Sequence, residues 1–127
     1  MLLEVRASKL VGRVPREWKQ RVKALERPAG WDGEDAPAVT HQLSAAVVDF
    51  LAEAVDRYPS LPEPAAISPT VTGAMMLQWE RNGWTIAVSI PGNAPSLEYQ
   101  MIDAAGVFSG GIRARETVLA ALANVAR

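Results

Sequence analysis

The sequence predicts an α+β fold of two layers, in which an antiparallel β-meander of three to four strands packs against two to three helices. Three features indicate it: apolar residues at helical spacing over about 41–57, a two-residue turn between β-forming segments at Asn82-Gly83, and apolar alternation at 97–101. The chain has 127 residues, 49% of them hydrophobic. We therefore expect a single domain, 1–127, with a substantial core.

Two helices are expected before the hairpin. Pro15 suits a first helical turn, and Trp18, Val22 and Leu25 follow at i, i+4 and i+7, which predicts a helix over about 15–26. Thr40 is the candidate N-cap of the second helix, over about 41–57. The segment 58–70 contains four prolines, so we expect an extended connector there.

The hairpin turn dictates a register. Asn82-Gly83 supplies the two positive-φ residues of a type I′ turn, so Arg81 faces Trp84 and the strands pair in step from there. Large apolar side chains then share one side of the ribbon: Met75, Leu77, Trp79, Trp84, Ile86, Val88 and Ile90. Burying them is worth on the order of 10–20 kcal/mol before entropy, so we expect helices to cover that side.

The rest of the chain is expected to complete the sheet and end in a helix. "SLEYQMID" at 96–103 predicts a third strand, and "GVFSG" at 106–110 predicts a short fourth. "SGGIR" at 109–113 is interpreted as a turn, because a phosphate-binding loop would need a P-loop lysine or a three-glycine fingerprint. "RETVLAALANVAR" carries apolar residues at helical spacing and predicts the last helix.

Composition excludes several classes of function. The chain has no cysteine and one histidine, so disulfides, thiolate metal sites and cysteine nucleophiles are ruled out, and a cytoplasmic location is expected. The N-terminus lacks the apolar core of a signal peptide, and no run of roughly 20 apolar residues predicts a membrane span. We find no catalytic spacing around His41 and expect no cofactor, no metal and no enzymatic activity.

Charge is distributed unevenly. The net charge is −1, but residues 1–27 hold eight Lys or Arg against three Glu, and the remainder holds five Arg against eleven acids. The domain thus divides into a basic N-terminal segment, 1–27, and an α+β body, 30–127. The basic segment either folds onto the acidic body or binds nucleic acid. Its candidate phosphate contacts are Arg13, Arg16, Lys19, Arg21 and Lys23.

An acidic loop behind a tryptophan is the most distinctive motif. Asp32, Glu34 and Asp35 follow Trp31, but a calcium loop starting at Asp32 would need a glutamate at its twelfth position, where Leu43 stands. The motif is therefore interpreted either as a turn that leads into the second helix or as a partner-binding loop.

A wider layout resembles that of a group of small, largely uncharacterised bacterial proteins. The matching residues are Trp31, Asp32, Gly33, Ala36 and Pro37, then Ser68-Pro69, then Leu77, Trp79 and Glu80. The resemblance covers roughly residues 30–103 and brings no assigned reaction. Because such proteins look like short partner genes of mobile or defence-related loci, it implies an interaction role.

The sequence thus favours a non-enzymatic protein that binds another macromolecule, foremost another protein, in the manner of an antitoxin, immunity protein or inhibitor. The alternative is nucleic-acid binding through the basic segment, and self-association is left open. The predicted contact surface combines the acidic loop with the hairpin tip: Trp31, Asp32, Glu34, Asp35, Arg81 and Trp84. Trp84 is either a core residue or, if exposed beside Arg81, a binding hot spot.

Overall fold

The computed structural model describes residues 12–92 and 95–127, so most of the chain before the first predicted helix lies outside the described residues. The elements in chain order are α1 (Arg16–Lys23), α2 (His41–Arg57), β1 (Ala66–Pro69), β2 (Met75–Arg81), β3 (Trp84–Ile90), β4 (Ser96–Ile102), β5 (Phe108–Ala114), α3 (Arg115–Ala121) and α4 (Ala123–Ala126). The five strands form one antiparallel sheet in the order β1-β2-β3-β4-β5. The predicted α+β class and meander are confirmed, but the strand number of three to four was too low.

The hairpin of β2 and β3 has the predicted register. Asn82 and Gly83 have φ of 58° and 79°, as a type I′ turn requires. Arg81 pairs with Trp84, and the remaining residues pair in step to the other end of the strands.

Strand β1 was missed in the proline-rich connector. Ile67 pairs with Leu77 and Pro69 with Met75, so the connector adds an edge strand to β2. The expected extended backbone is therefore present, and an edge strand tolerates Pro69 because it needs amides on one side only.

Strand β5 is longer than the expected "GVFSG" segment. It runs from Phe108 to Ala114 and pairs with β4 along its whole length. "SGGIR" therefore belongs to a strand, and its interpretation as a turn was wrong. Glycine has low strand propensity, but the continuous ladder with β4 outweighs that preference here.

The helices lie where the sequence predicts them, but two of the three differ in length from the prediction. The side chain of Thr40 accepts a hydrogen bond from the Leu43 amide at 3.1 Å, so the predicted cap and the bounds of α2 are confirmed. Helix α1 begins near Pro15 but ends at Lys23, three residues early. The last helix is interrupted at Leu122 and divides into α3 and α4.

One face of the sheet carries the core. Its buried residues on the central strands are Met75, Leu77, Trp79, Ile86, Val88, Ile90, Leu97 and Tyr99. They join side chains of every helix in one cluster, such as Val22 of α1, Phe50 of α2 and Leu119 of α3. The side chains of the other face are exposed or half-buried, for example those of Gln78, Ala87 and Gln100. We call this the open face; an antiparallel sheet commonly leaves one face in water.

Polar contacts fasten the elements around this core. The buried Trp79 donates its Nε1–H to the carbonyl of Pro62 at 2.9 Å, which holds the connector against β2. Arg115, at the start of α3, pairs with Glu53 of α2 at 2.9 Å and lies over the ring of Phe50. Among the described residues, no helix is long and apolar enough to cross a lipid bilayer.

Candidate functional site

The acidic loop is held by its own hydrogen bonds. Trp31 is half-buried against the core and donates its Nε1–H to the carbonyl of Pro37 at 2.9 Å. Asp32 Oδ1 accepts from the amides of Glu34, at 3.0 Å, and Ala36, at 3.2 Å. Such an aspartate stabilises a turn by replacing a backbone acceptor. Trp31 and Asp32 thus have structural contacts that account for their presence.

The loop and the hairpin tip lie at opposite ends of β2. A β-carbon built on Gly73, just before β2, would lie 3.5 Å from Pro37, so the loop adjoins the β1–β2 turn. The tip at Asn82-Gly83 lies beyond the other end of that seven-residue strand, roughly 20 Å away at about 3.3 Å per residue. The two segments of the predicted contact surface are thus separated by about the length of β2.

The hairpin tip packs on its own neighbours. A β-carbon built on Gly83 would lie 3.2 Å from that of Ala104, in the turn between β4 and β5. The Asn82 side-chain amide donates to the carbonyl of Asn124 in α4 at 3.4 Å. Trp84 is half-buried against the core, whereas Arg81 is exposed. At the tip Arg81 is therefore exposed to solvent, whereas Trp84 is largely occupied by packing.

The acidic residues do not assemble a metal site in the part of the chain described. Within 12–92 and 95–127, no three His, Asp or Glu side chains come together as ligands. Glu34 and Asp35 are exposed. His41 lies 3.7 Å from Glu26, with its Nδ1 facing Oε2, at the start of α2.

The basic candidates for nucleic-acid contact divide into two sets. Arg13 is paired with Asp56 of α2, and Arg21 with Glu63 at 3.0 Å and with the Pro64 carbonyl at 2.8 Å. These contacts fasten α1 to the body of the domain. The remaining candidates are Arg16, Lys19 and Lys23, spaced i, i+3 and i+7 along α1.

An apolar patch on the open face was not predicted. Ile102 and Phe108 are opposite each other on β4 and β5 and are 43% and 62% exposed. Ile112, on the same face of β5, is 70% exposed. We call these three residues the β4–β5 patch; Val107, which is 60% exposed, lies just before β5. The alternation of Phe108, Gly110 and Ile112 could have indicated it, but only once the glycine pair was recognised as part of a strand.

The chain matches no protein-family model, no curated protein and no solved structure.

The patch has a polar surround. Glu98, opposite Ile112 in the ladder, and Gln100 are exposed on the same face. A cleft of about 230 Å³ lies beside it, between Ile112, Glu98 and the β1–β2 turn at Thr70 and Thr72. Among the described residues that line this cleft, Glu98 is the one ionisable side chain. An acid–base pair of the kind that hydrolytic enzymes use is therefore not assembled by those residues.

Proposed function

We propose that this protein works by binding another protein, in the manner of an antitoxin, immunity protein or inhibitor, and that the β4–β5 patch is its contact surface. The observation that carries the proposal is the pairing of two large exposed apolar side chains, Ile102 and Phe108, on a sheet face that the helices leave open. Residues so paired have β-carbons about 5 Å apart and form one continuous surface.

Single exposed apolar residues are ordinary on a protein surface, whereas a contiguous group is not. Here Ile102, Phe108 and Ile112 share the open face within two adjacent strands, and Val107 adjoins them. Polar side chains lie among and beside them, because Gln100 separates the Ile102–Phe108 pair from Ile112 and Glu98 lies opposite Ile112. An apolar centre with a polar rim is the usual composition of a protein–protein interface. The resemblance to partner genes points in the same direction.

The test is co-expression with the product of the adjacent gene, because a short partner protein and its target are commonly encoded side by side. We expect a complex that co-purifies, and we expect Ile102→Asp to weaken it at least tenfold, since a buried unpaired carboxylate costs more than about 1.4 kcal/mol. Val71→Asp is the matched control, because Val71 is 61% exposed but lies in the β1–β2 turn. A complex that tolerates Ile102→Asp as well as Val71→Asp would contradict the assignment of the surface.

Nucleic-acid binding through α1 is the second candidate, favoured by the alignment of Arg16, Lys19 and Lys23. Removing one phosphate-binding side chain should lower the salt dependence of binding by about one unit of slope. Fluorescence anisotropy with a labelled duplex at low salt would therefore show weaker binding for Lys19→Ala/Lys23→Ala. Absence of binding by the wild-type chain at low salt would remove this candidate.

A further inference from the structure

The two edges of the sheet differ in how they are protected. Strand β1 has four residues, ends in Pro69 and follows Pro62 and Pro64, features that discourage pairing with a further strand. Strand β5 has seven residues, Phe108–Ala114, and no proline. Arg113 is its one charged side chain. Of the two edges, β5 is thus the less protected against pairing with another strand.

The ladder between β4 and β5 determines which amides of β5 face outward. The backbone amide of Asp103 donates to the Val107 carbonyl at 3.0 Å, and the backbone amide of Arg115 donates to the Pro95 carbonyl at 3.1 Å. Between these two bonds the pairing is continuous, with no bulge. Hydrogen-bonded pairs alternate in an antiparallel ladder. The odd-numbered residues of β5 therefore bond to β4, and the amides of Phe108, Gly110 and Ile112 face away from it.

We propose that two copies of this chain pair through their β5 edges, antiparallel and centred on Gly110, so that two five-stranded sheets join into one of ten strands. In this register Gly110 faces Gly110 of the second copy across the two-fold axis. Phe108 then faces Ile112 of the second copy, and Ile112 faces its Phe108. All three residues supply outward amides for the pairing. The Ile112 carbonyl accepts a hydrogen bond from Arg113 Nη1 at 2.9 Å, so pairing exchanges that bond for an amide of the second copy.

The register follows from matching the exposed side chains. Phe108 and Ile112 are 62% and 70% exposed on the same face, and a two-fold axis at Gly110 places each against the other. The neighbouring register, centred on Gly111, would place Phe108 against Ala114 and Ile112 against Gly110, which leaves both large side chains unmatched. At the two-fold axis Gly110 has no side chain, which leaves room for the ring of Phe108 to pack over it, as aromatic residues do beside edge glycines.

A second copy fits this edge because the edge is complementary to itself. A two-fold interface requires that residue i contact residue j and that j contact i, and Phe108 and Ile112 meet that condition at equal distances from Gly110. The inference rests on the proposed function in one respect: pairing would join two β4–β5 patches into a single apolar strip across the axis, which is the surface offered to the partner protein.

The experiment measures mass in solution, by sedimentation velocity, for the full-length chain and three sets of variants. The wild-type chain should sediment at twice its 13.7 kDa mass at about 100 μM, a concentration well above a micromolar Kd. Phe108→Glu and Ile112→Lys should each give monomers, because each places a charge against an apolar side chain at both symmetric contacts. Val71→Glu and Val71→Lys are the matched controls and should remain dimeric.

Mixing the two monomeric variants tests the register itself. In a mixed dimer the introduced carboxylate at position 108 faces the introduced ammonium at position 112, and the remaining contact is the original Phe108–Ile112 pair. We expect the mixture to recover the dimer, with an apparent Kd at least tenfold lower than that of either variant alone. Far-UV circular dichroism checks that each variant is folded, and Ile112→Thr is a milder substitution should Ile112→Lys unfold.

Three results would overturn the inference: a wild-type monomer, a dimer that survives both variants, or a mixture that stays monomeric. A wild-type monomer would leave the proposed function standing, because Ile102 lies on β4 and its partner assay does not depend on the β5 edge. Conversely, the dimer could form as proposed and be restored by mixing the two charged variants, while the chain binds no neighbouring gene product. That result would support the pairing through β5 and contradict the proposed function.

Discussion

Ile102 and Phe108 face each other across the β4–β5 ladder with both side chains largely in solvent, whereas Leu97 and Tyr99, on the same strand as Ile102, are buried beneath the helices. Because successive residues of a strand point to opposite faces, a single strand here serves both the core and the open surface. The helices account for the burial of one face. Nothing in the described part of the chain covers the apolar residues of the other.

Gly110 should not tolerate a side chain. A β-carbon built there would lie 2.5 Å from the carbonyl oxygen of Tyr99, a backbone atom that can move only with the ladder. We expect Gly110→Ala to lower the free energy of unfolding by about 2 kcal/mol, as measured by urea denaturation. Ser109→Ala, at the next position of the exposed strand, is the control and should change stability by less than about 0.5 kcal/mol. Equal effects of the two substitutions would show that β5 is displaced from β4.

Local chemistry explains which parts of the fold could be predicted. The hairpin needed only two adjacent residues with positive φ, Asn82 and Gly83, and its strand register followed from them. Helix α2 needed an N-cap, Thr40, and an apolar repeat. In both cases the residues that determine the structure are close together in sequence. The local sequence pattern is therefore enough to predict the structure there.

The missed features depend on residues that are distant in sequence. Strand β1 forms because β2 offers an edge to Ile67, and β5 keeps its glycines in a strand because β4 pairs with all of it. The contact surface was predicted from two distinctive segments, but the fold carries Trp31 and Arg81 to opposite ends of β2. These features depend on which strands pair in the folded protein, and neither composition nor hydrophobic periodicity predicts that pairing.

Asp32 should contribute to stability through its acceptor oxygen and not through its charge. Its Oδ1 accepts the amides of Glu34 and Ala36, and an asparagine keeps one such oxygen. We expect Asp32→Ala to lower the free energy of unfolding by about 1 kcal/mol, and Asp32→Asn to lower it by less than half as much. Thermal and urea unfolding would measure both.

The matched control for this loop is Glu34→Ala, because Glu34 is exposed in the same turn. If Glu34→Ala and Asp32→Ala destabilise the protein equally, the turn owes its shape to something other than the two hydrogen bonds of Asp32.

Thr40 should matter as the N-cap of α2. Its hydroxyl accepts the Leu43 amide at 3.1 Å, one of the amides at a helix start that have no partner within the helix. We expect Thr40→Ala to lower the free energy of unfolding by about 1 kcal/mol and Thr40→Ser to lower it far less, because serine also caps. Chemical denaturation of the three proteins gives the comparison, and a serine variant as unstable as the alanine variant would refute the capping role.

Asp49 should make stability depend on pH in the direction opposite to that of a typical carboxylate. The pKa of Asp49 is raised above the usual 3.8, chiefly because the side chain is partly buried on α2. The positive charge of Arg115 partly offsets this effect, and the negative charge of Glu53 adds to it. The folded state therefore binds the Asp49 proton more tightly than the unfolded chain does, so this residue's contribution to stability falls as the pH rises from 3.8 through the folded pKa.

Replacing Asp49 with asparagine removes the group whose ionisation is unfavourable in the folded protein. Asp49→Asn should accordingly be more stable than the wild type at pH 7, by up to about 0.5 kcal/mol because the side chain is largely in solvent. The difference should disappear below pH 3.8, where the aspartate is protonated in both states. Urea denaturation at pH 3 and pH 7 provides the measurement, with Asp56→Asn as the contrasting control: it should destabilise at pH 7, because Asp56 is paired with Arg13. A loss of stability for Asp49→Asn at pH 7 would mean that attraction to Arg115 outweighs burial at this position.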